Sequence, residues 1–429
     1  MSHVENCINF INESASMFHA VEVFKKNCVN FIELNEGEKW NLEKGKSYYV
    51  TRNGSSIIAF TVGKYMENLA FNICASHTDS PTFKIKPNGE IESPFGLKGN
   101  VEGYGGMIVS TWLDRPLRIA GRVLIKKDGR LESVLYDSKE AICCIPNVSI
   151  HMKRDLNSGF AYNLQTDMGP LFGEGKKGAL KSRICKDLNI SEEDYICGDL
   201  YLVVDEKGKV WGLNNEYFSS PKIDNLESVY TTLMAFLSSS NEYRVNICAA
   251  FDNEEVGSNT KQGADSNFLM DVLRRIQEGL GYSYEEYCMS LAHSMMLSVD
   301  NAHAAHYNHP ELFDSTNNTK MNKGVVVKSN ANQQYTSDAV SSAIFTSICD
   351  SVNVPYQYFV NRSDVRGGGT LGNISSSHVS LKSVDIGCAQ LAMHSSVETA
   401  GVEDIEHMIN ACKAFYDSNL LEDGNKWEF

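Results

Sequence analysis

Residues 243–258 read YRVNICAAFDNEEVGS, and the reading of the whole chain turns on them. From Val245 to Phe251 the stretch is apolar, with one Asn. Such a run, bounded by polar residues, is expected for a strand buried on both faces, the habit of parallel sheets. It ends in Asp252, Asn253, Glu254 and Glu255. Four acidic or amide side chains just past a buried strand cost free energy unless something pairs them. Open α/β sheets bind ligands beyond the carboxyl ends of their strands. A Glu pair there can divide labour: one carboxylate holds a cation and the other carries protons to and from water. Taken alone, such a pair more often marks a solvated strand-to-helix turn, so the rest of the chain has to decide.

At 429 residues the chain exceeds what one hydrophobic core usually serves, and two domains are expected. Its 42% hydrophobic and 22% charged residues are ordinary for a globular protein. A net charge of -15 argues against nucleic acid or an anionic membrane as partner. It also means that an anionic substrate needs a local cation to overcome the global field. No apolar run reaches transmembrane length, and the start, MSHVENCINF, has no basic segment ahead of an apolar one. A cytoplasmic location is expected. The 12 cysteines form no CxxC and sit mostly in apolar runs, the pattern of buried thiols in a reducing compartment.

Apolar residues recur at helical spacing over 4–27, which predicts one amphipathic helix. Residues 47–63 read as two strands joined at Asn53-Gly54, a hairpin signal. Residues 69–75 read as a buried strand running into His77-Thr78-Asp79-Ser80-Pro81. From about 83 to 220 short β runs alternate with Gly-containing turns, among them Gly103, Gly105 and Gly106. This predicts a β-rich domain inserted into an α/β domain formed by 1–82 and 221–429. Helices are predicted over 224–239, 266–280, 284–296, 337–351 and 402–416, with strands over 297–300, 325–328, 356–360 and 383–387. Alternating strands and helices imply a mostly parallel sheet covered on both faces.

Five segments place metal-capable side chains at strand ends or helix starts. They hold His77 and Asp79, Asp224, Glu254 and Glu255, Asp300, and His394. Each has a plainer reading of its own. HxD suits a polar turn, Asp224 suits a helix N-cap, and a lone His is more often structural. A trio of histidines, His303, His306 and His309, reads either as a metal site or as a polar loop. In extended chain residues i and i+2 share a face, so Asp79 can accept a hydrogen bond from the second nitrogen of His77, as metal-bound imidazoles usually require. Together the segments supply two His, several coordinating acids and one spare Glu. Two cations about 3.5–4 Å apart, bridged by a carboxylate and a water, need such a set. Imidazole and carboxylate without thiolate suit zinc, with cobalt or manganese as substitutes.

The motifs HTDSP, KIDN, FDNEEVGS, SVDNAHAAH, KSNANQQY, GGGTLG and QLAMHS occur in this order. The chain thereby resembles the aspartyl aminopeptidases, dinuclear zinc exopeptidases, over roughly residues 70–400. The resemblance implies a zinc exopeptidase-like fold with two zinc ions. His77 and Asp300 would bind one ion, Glu255 and His394 the other, and Asp224 would bridge them. Glu254 would be the general base and acid, and Asp79 would orient His77. His151 would reach a neighbouring subunit's site and steady an oxyanion. Lys328 and Tyr335 lie in the segment similar to the one facing an acidic substrate side chain. Short peptides would be the substrates, and the assembly a homo-oligomer, a dodecamer built from dimers. Asn301, residues 307–309 and Asn373 depart from the commoner family pattern; all lie in loops around the expected pocket.

Competing readings use the same scaffold: an aminopeptidase of neutral specificity, or a deacylase of N-acyl amino acids. A non-catalytic, self-assembling shell protein is the alternative from another class, and the intact Glu254 argues against it.

Overall fold

The computed structural model describes residues 2–429. The strand Val245–Phe251 is buried at every residue and lies inside a nine-stranded sheet. It runs parallel to Phe71–His77. That strand runs parallel to Met295–Val299, which is in turn parallel to Lys382–Gly387. These four strands form the centre. Ser56–Val62 joins one side antiparallel, and its hairpin partner Ser47–Arg52 follows as expected. On the other side Val325–Lys328 pairs antiparallel with Lys382–Gly387 and parallel with Tyr356–Phe359.

Period-two alternation explains the unbroken apolar run. Cys74, Cys248 and Ala250 face a core shared with the helices Ile223–Ser238 and Val402–Asp417. Ile73, Ala75, Ile247 and Ala249 face the opposite core, closed by the helix Phe268–Gly279. Both faces are dry, so both strand registers are apolar. Each large side chain moved fully from water into such a layer contributes about 1.5–3 kcal/mol.

The single helix expected over 4–27 is two, His3–Glu13 and Met17–Asn27. Ser14 closes the first by donating both its N–H and its hydroxyl to the Phe10 carbonyl, the competition with the helix backbone that serine offers. Ser16 is extended, at φ -144 and ψ 173. The helix expected over 284–296 stops at Ala292, because Met295 and Met296 enter the sheet as the start of Met295–Val299.

A second, seven-stranded sheet is antiparallel throughout and includes Thr82–Ser93, Gly96–Tyr104, Pro116–Lys127 and Tyr195–Val204. Tyr195–Val204 pairs with both Thr82–Ser93 and Pro116–Lys127, which closes the sheet into a barrel around Phe83, Leu117, Ile119, Val123 and Leu202. The protein is thus an α/β fold carrying an inserted β-rich unit. Strands Lys209–Trp211 and Tyr217–Ser220, counted with the insertion on sequence grounds, instead join a third sheet through Glu398–Gly401. No helix among the described residues is long and apolar enough to cross a membrane.

Candidate metal centre

Parallel strands end on the same side, and here register decides what meets there. Phe251 is opposite His77, so Asp252 to Glu255 emerge beside the histidine. Asn253 takes a left-handed conformation at φ 62, and Glu254–Val256 form a single 3-10 turn. This turn aims the amides of Glu254 and Glu255 at the two carboxylate oxygens of Asp79, each at 3.2 Å. Asp300 follows the neighbouring strand Met295–Val299. Asp224 stands at the start of Ile223–Ser238, and its peptide bond to Asn225 is cis.

The expected side chains converge. His77 Nδ1 lies 3.1 Å from the Asp79 carbonyl and 3.3 Å from its carboxylate, so backbone and side chain of Asp79 together fix the ring. Its Nε2 then faces Asp224 Oδ1 at 3.4 Å and Asp300 Oδ1 at 3.5 Å. His394 is held from the other side, Nδ1 lying 2.8 Å from the Gly106 carbonyl of the β-rich unit. Its Nε2 faces Asp224 Oδ2 and Glu255 Oε2, both at 3.4 Å. Two donor triads result, His77–Asp224–Asp300 and Asp224–Glu255–His394. They share Asp224, one oxygen turned to each histidine. A third grouping joins His77 to Glu254 and Glu255.

The residues fit a metal. Ligands about 2.1 Å from a tetrahedral cation stand about 3.4 Å from one another, the spacing seen between the imidazole nitrogens and carboxylate oxygens. Asp224 Oδ1 and Glu255 Oε1 are buried with no hydrogen-bond partner, a costly state that a cation relieves. Protonation tells the same story. Burial opposes a charge on His77, but Asp224, Asp300 and Asp79 outweigh it and raise its pKa well above the ordinary value. Burial likewise opposes a charge on His394, and Asp224 with Glu255 push it up to about 10. Burial, then the Asp224 charge, raises Glu255 well above the usual range. Burial would also raise Asp224, yet hydrogen bonding to His394 and His77 holds it below the usual carboxylate range. So many carboxylates packed together retain protons where a cation would replace them.

Glu254 is raised to about 8, by burial first and by the Asp300, Asp79 and Asp224 charges after it. Lys328 is 2% exposed. Its ammonium donates to the Asp300 carbonyl at 2.8 Å and the Asn301 carbonyl at 3.4 Å, with Asp300 Oδ2 at 3.6 Å. Tyr335 is buried beside it, the Lys328 nitrogen 5.3 Å from the ring centroid. His151 is not drawn in; it occupies an exposed turn of the β-rich unit. The His303, His306 and His309 trio makes no donor triad among the described residues. His306 stacks on Tyr307 and His309 faces Glu311 at 3.2 Å.

Sequence reasoning passed over Tyr104, whose hydroxyl donates to Asp79 Oδ2. The only local hint was the glycine cluster around it. Gly105 sits at φ +75, and a Cβ there would lie 3.1 Å from Glu255 Cβ, so a side chain would press on a candidate ligand.

Residues 10–416 match the family model described as aminopeptidase I zinc metalloprotease (M18). The chain is 46% identical over 421 residues to a probable M18 family aminopeptidase 2 of Clostridium novyi (strain NT), covering 96% of this chain and 97% of that protein. A protein of the same description from Clostridium acetobutylicum is 43% identical, covering 97% and 99%. Among solved structures, a chain of the Ape4 and Nbr1 complex superposes with a TM-score of 0.93 at 33% identity, covering 97% of this chain and 85% of that one. A chain of the S. cerevisiae mApe1 dodecamer gives 0.83 at 25% identity, covering 96% and 95%.

Proposed function

The chain belongs to the M18 family of aminopeptidase I zinc metalloproteases, and from that premise we propose that it removes the N-terminal residue of short peptides at a dinuclear metal site, preferring Asp or Glu. One observation carries the reading: two triads of buried donors share Asp224 and leave carboxylate oxygens without hydrogen-bond partners. His77 and Asp300 would hold one zinc ion, Glu255 and His394 the other, and Asp224 both. Cobalt or manganese are substitutes of suitable chemistry. Metals bound there supply Lewis acidity and ease deprotonation of water.

The chain's own residues do the rest. Asp79 fixes the His77 ring so that Nε2 points into the site. Glu254 is a half-buried carboxyl whose pKa is raised to about 8. It accepts the proton of the attacking water and returns it to the leaving amine. A cation held among these carboxylates draws that pKa down again, toward working pH. His151 is proposed to act from a neighbouring copy, by steadying the oxyanion; its exposed turn is compatible with that role. The assembly is proposed to be a dodecamer built from dimers, as the mApe1 likeness supports. A cytoplasmic setting is proposed on the strength of the 12 cysteines, all free thiols and nine of them buried.

The acidic preference rests on the resemblance and on a nearby cation. Lys328 is that cation, yet its ammonium is already engaged by Asp300 and Asn301. This engagement favours a second reading, an aminopeptidase of neutral specificity. Hydrolysis of Asp-, Glu-, Leu- and Ala-anilides and of N-acyl amino acids, before and after chelation and with zinc, cobalt or manganese restored, separates them. Metal-dependent cleavage that is faster on Asp- and Glu-anilides than on Leu- and Ala-anilides is expected. Faster cleavage of Leu- and Ala-anilides would select the neutral reading, and cleavage of N-acyl substrates alone would overturn both.

A further inference from the structure

One buried carboxylate lies behind the donor triads and faces no cation site itself. Glu398 begins the strand Glu398–Gly401 and is 1% exposed. Its Oε1 accepts the backbone N–H of His394 at 2.7 Å, and its Oε2 accepts the backbone N–H of Asp224 at 3.0 Å. Sheet pairing makes this contact. Glu398 is opposite Ser220 in the antiparallel pair with Tyr217–Ser220, and the chain leaves that strand through Pro221 and Lys222 to reach Asp224. The same carboxylate is tied to the third ligand segment. Gln390 Nε2 donates to Glu398 Oε1 at 3.3 Å, and Asn301, next to Asp300, donates to Gln390 Oε1 at 2.8 Å. Asn301 also donates to Glu227 at 2.7 Å. Asn301, Gln390 and Glu227 are all buried.

We infer that Glu398 is a positioning residue, which sets the backbone of two metal ligands at once and, through Gln390 and Asn301, steadies the segment bearing a third. This rests on the metal-site reading above. Two features support it over a purely structural role. One more carboxylate buried behind this acidic site is an expensive way to stabilise a fold, since well-packed apolar residues do so at least as well. And His394 is held at φ 67, a left-handed conformation that is unfavourable for a residue with a Cβ. The bond from its N–H to Glu398 holds it there, with Nε2 turned to Asp224 and Glu255. The carboxylate has two acceptor oxygens for two amides. A glutamine has one, and its NH2 would confront the remaining N–H.

The test is zinc affinity, measured by chelator competition on the folded protein. Glu398→Gln is expected to weaken zinc binding about 10–100-fold, with far-UV circular dichroism unchanged and turnover restored at saturating zinc. Gln390→Met, which removes both bonds of the bridge from Glu398 to Asn301 and keeps the two backbone contacts of Glu398, is expected to shift affinity the same way and less. A purely structural Glu398 would lower the melting temperature and leave the zinc affinity of the folded protein at the parent's value; that result would overturn the inference. Should Glu398→Gln fail to fold, an unchanged affinity in Gln390→Met overturns it instead. Glu255→Gln and Asp224→Asn go through the same titration. If they bind zinc as tightly as the parent, the site reading falls and this inference with it. If they lose zinc while Glu398→Gln keeps it, the inference alone falls.

Discussion

Tyr104, on the last residue of a strand of the β-rich unit, donates its hydroxyl at 2.7 Å to Asp79, the residue that fixes His77 in the central sheet. The same hydroxyl accepts from Asn253 Nδ2 at 2.8 Å, just before the Glu254–Glu255 pair. The inserted unit is therefore wired into the candidate metal centre of its own chain. Burial, then the charge of Asp79, keeps the phenol firmly protonated. Tyr104→Phe leaves one Asp79 oxygen and one Asn253 donor short of a partner. It should cost about 1–3 kcal/mol of stability and lower zinc affinity or kcat/KM about tenfold. Thermal melting and chelator competition check this. Unchanged values would mean that the Glu254 and Glu255 amides hold Asp79 without help.

Glu254 and Glu255 are adjacent in sequence and unequal in space. Glu255 Oε2 faces His394 Nε2, whereas Glu254 stands near the site with its carboxyl raised to about 8. Glu254→Gln should keep bound zinc and lose about 10²–10⁴ in kcat, the share of general acid–base catalysis. Glu255→Gln should lose zinc. Metal analysis beside steady-state kinetics decides, and the opposite pattern would exchange the two roles.

Lys328 is paired in a dry setting, so removing its charge leaves Asp300 and two carbonyls uncompensated. Lys328→Met should destabilise the fold by about 3–5 kcal/mol, the range for breaking one side of a buried ion pair. The rate on Asp-anilide should fall by a larger factor than the rate on Leu-anilide, as the proposed acidic preference requires. An equal loss on both would mean that the damage passes through Asp300 and would set Lys328 aside as the specificity cation.

His19 provides a pH signature away from the metal centre. Burial, with Lys139, Lys222 and Arg118 opposing the positive charge and Asp137 favouring it, lowers the ring from its usual 6.5 to about 4. The unfolded chain therefore takes up a proton between pH 6.5 and 4 that the folded chain refuses. Stability should fall as pH drops through this window, and the contribution of His19 should level off below it. His19→Gln should flatten that limb in denaturant melts run from pH 7 to 4, with little change at pH 7 and above. An identical limb in the variant would assign the acid sensitivity to other groups.

How much of this was legible beforehand follows from where the information lies. The apolar run 245–251 and the acids beyond it announce a two-face-buried strand and a polar strand end, because each is a property of a short stretch. The residue types at 77, 224, 254, 255, 300 and 394 likewise announce metal chemistry. Elements carried by weak local preferences were less visible. The break at Ser14 to Ser16 lies inside a continuing helical period. The helix Leu371–His378 is rich in serine, a modest helix former.

What tertiary structure alone decided is which groups share a neighbour. Asp224 divides its two oxygens between His77 and His394 only because parallel strands end together and Ile223–Ser238 starts above them. Glu398 meets the amide of Asp224 from 174 residues away. Lys328 turns toward Asp300 instead of open solvent because its strand is antiparallel to Lys382–Gly387 and covered on both sides. No local pattern encodes such contacts. They arise when buried polar groups, stripped of water, take the partners that strand register brings within reach.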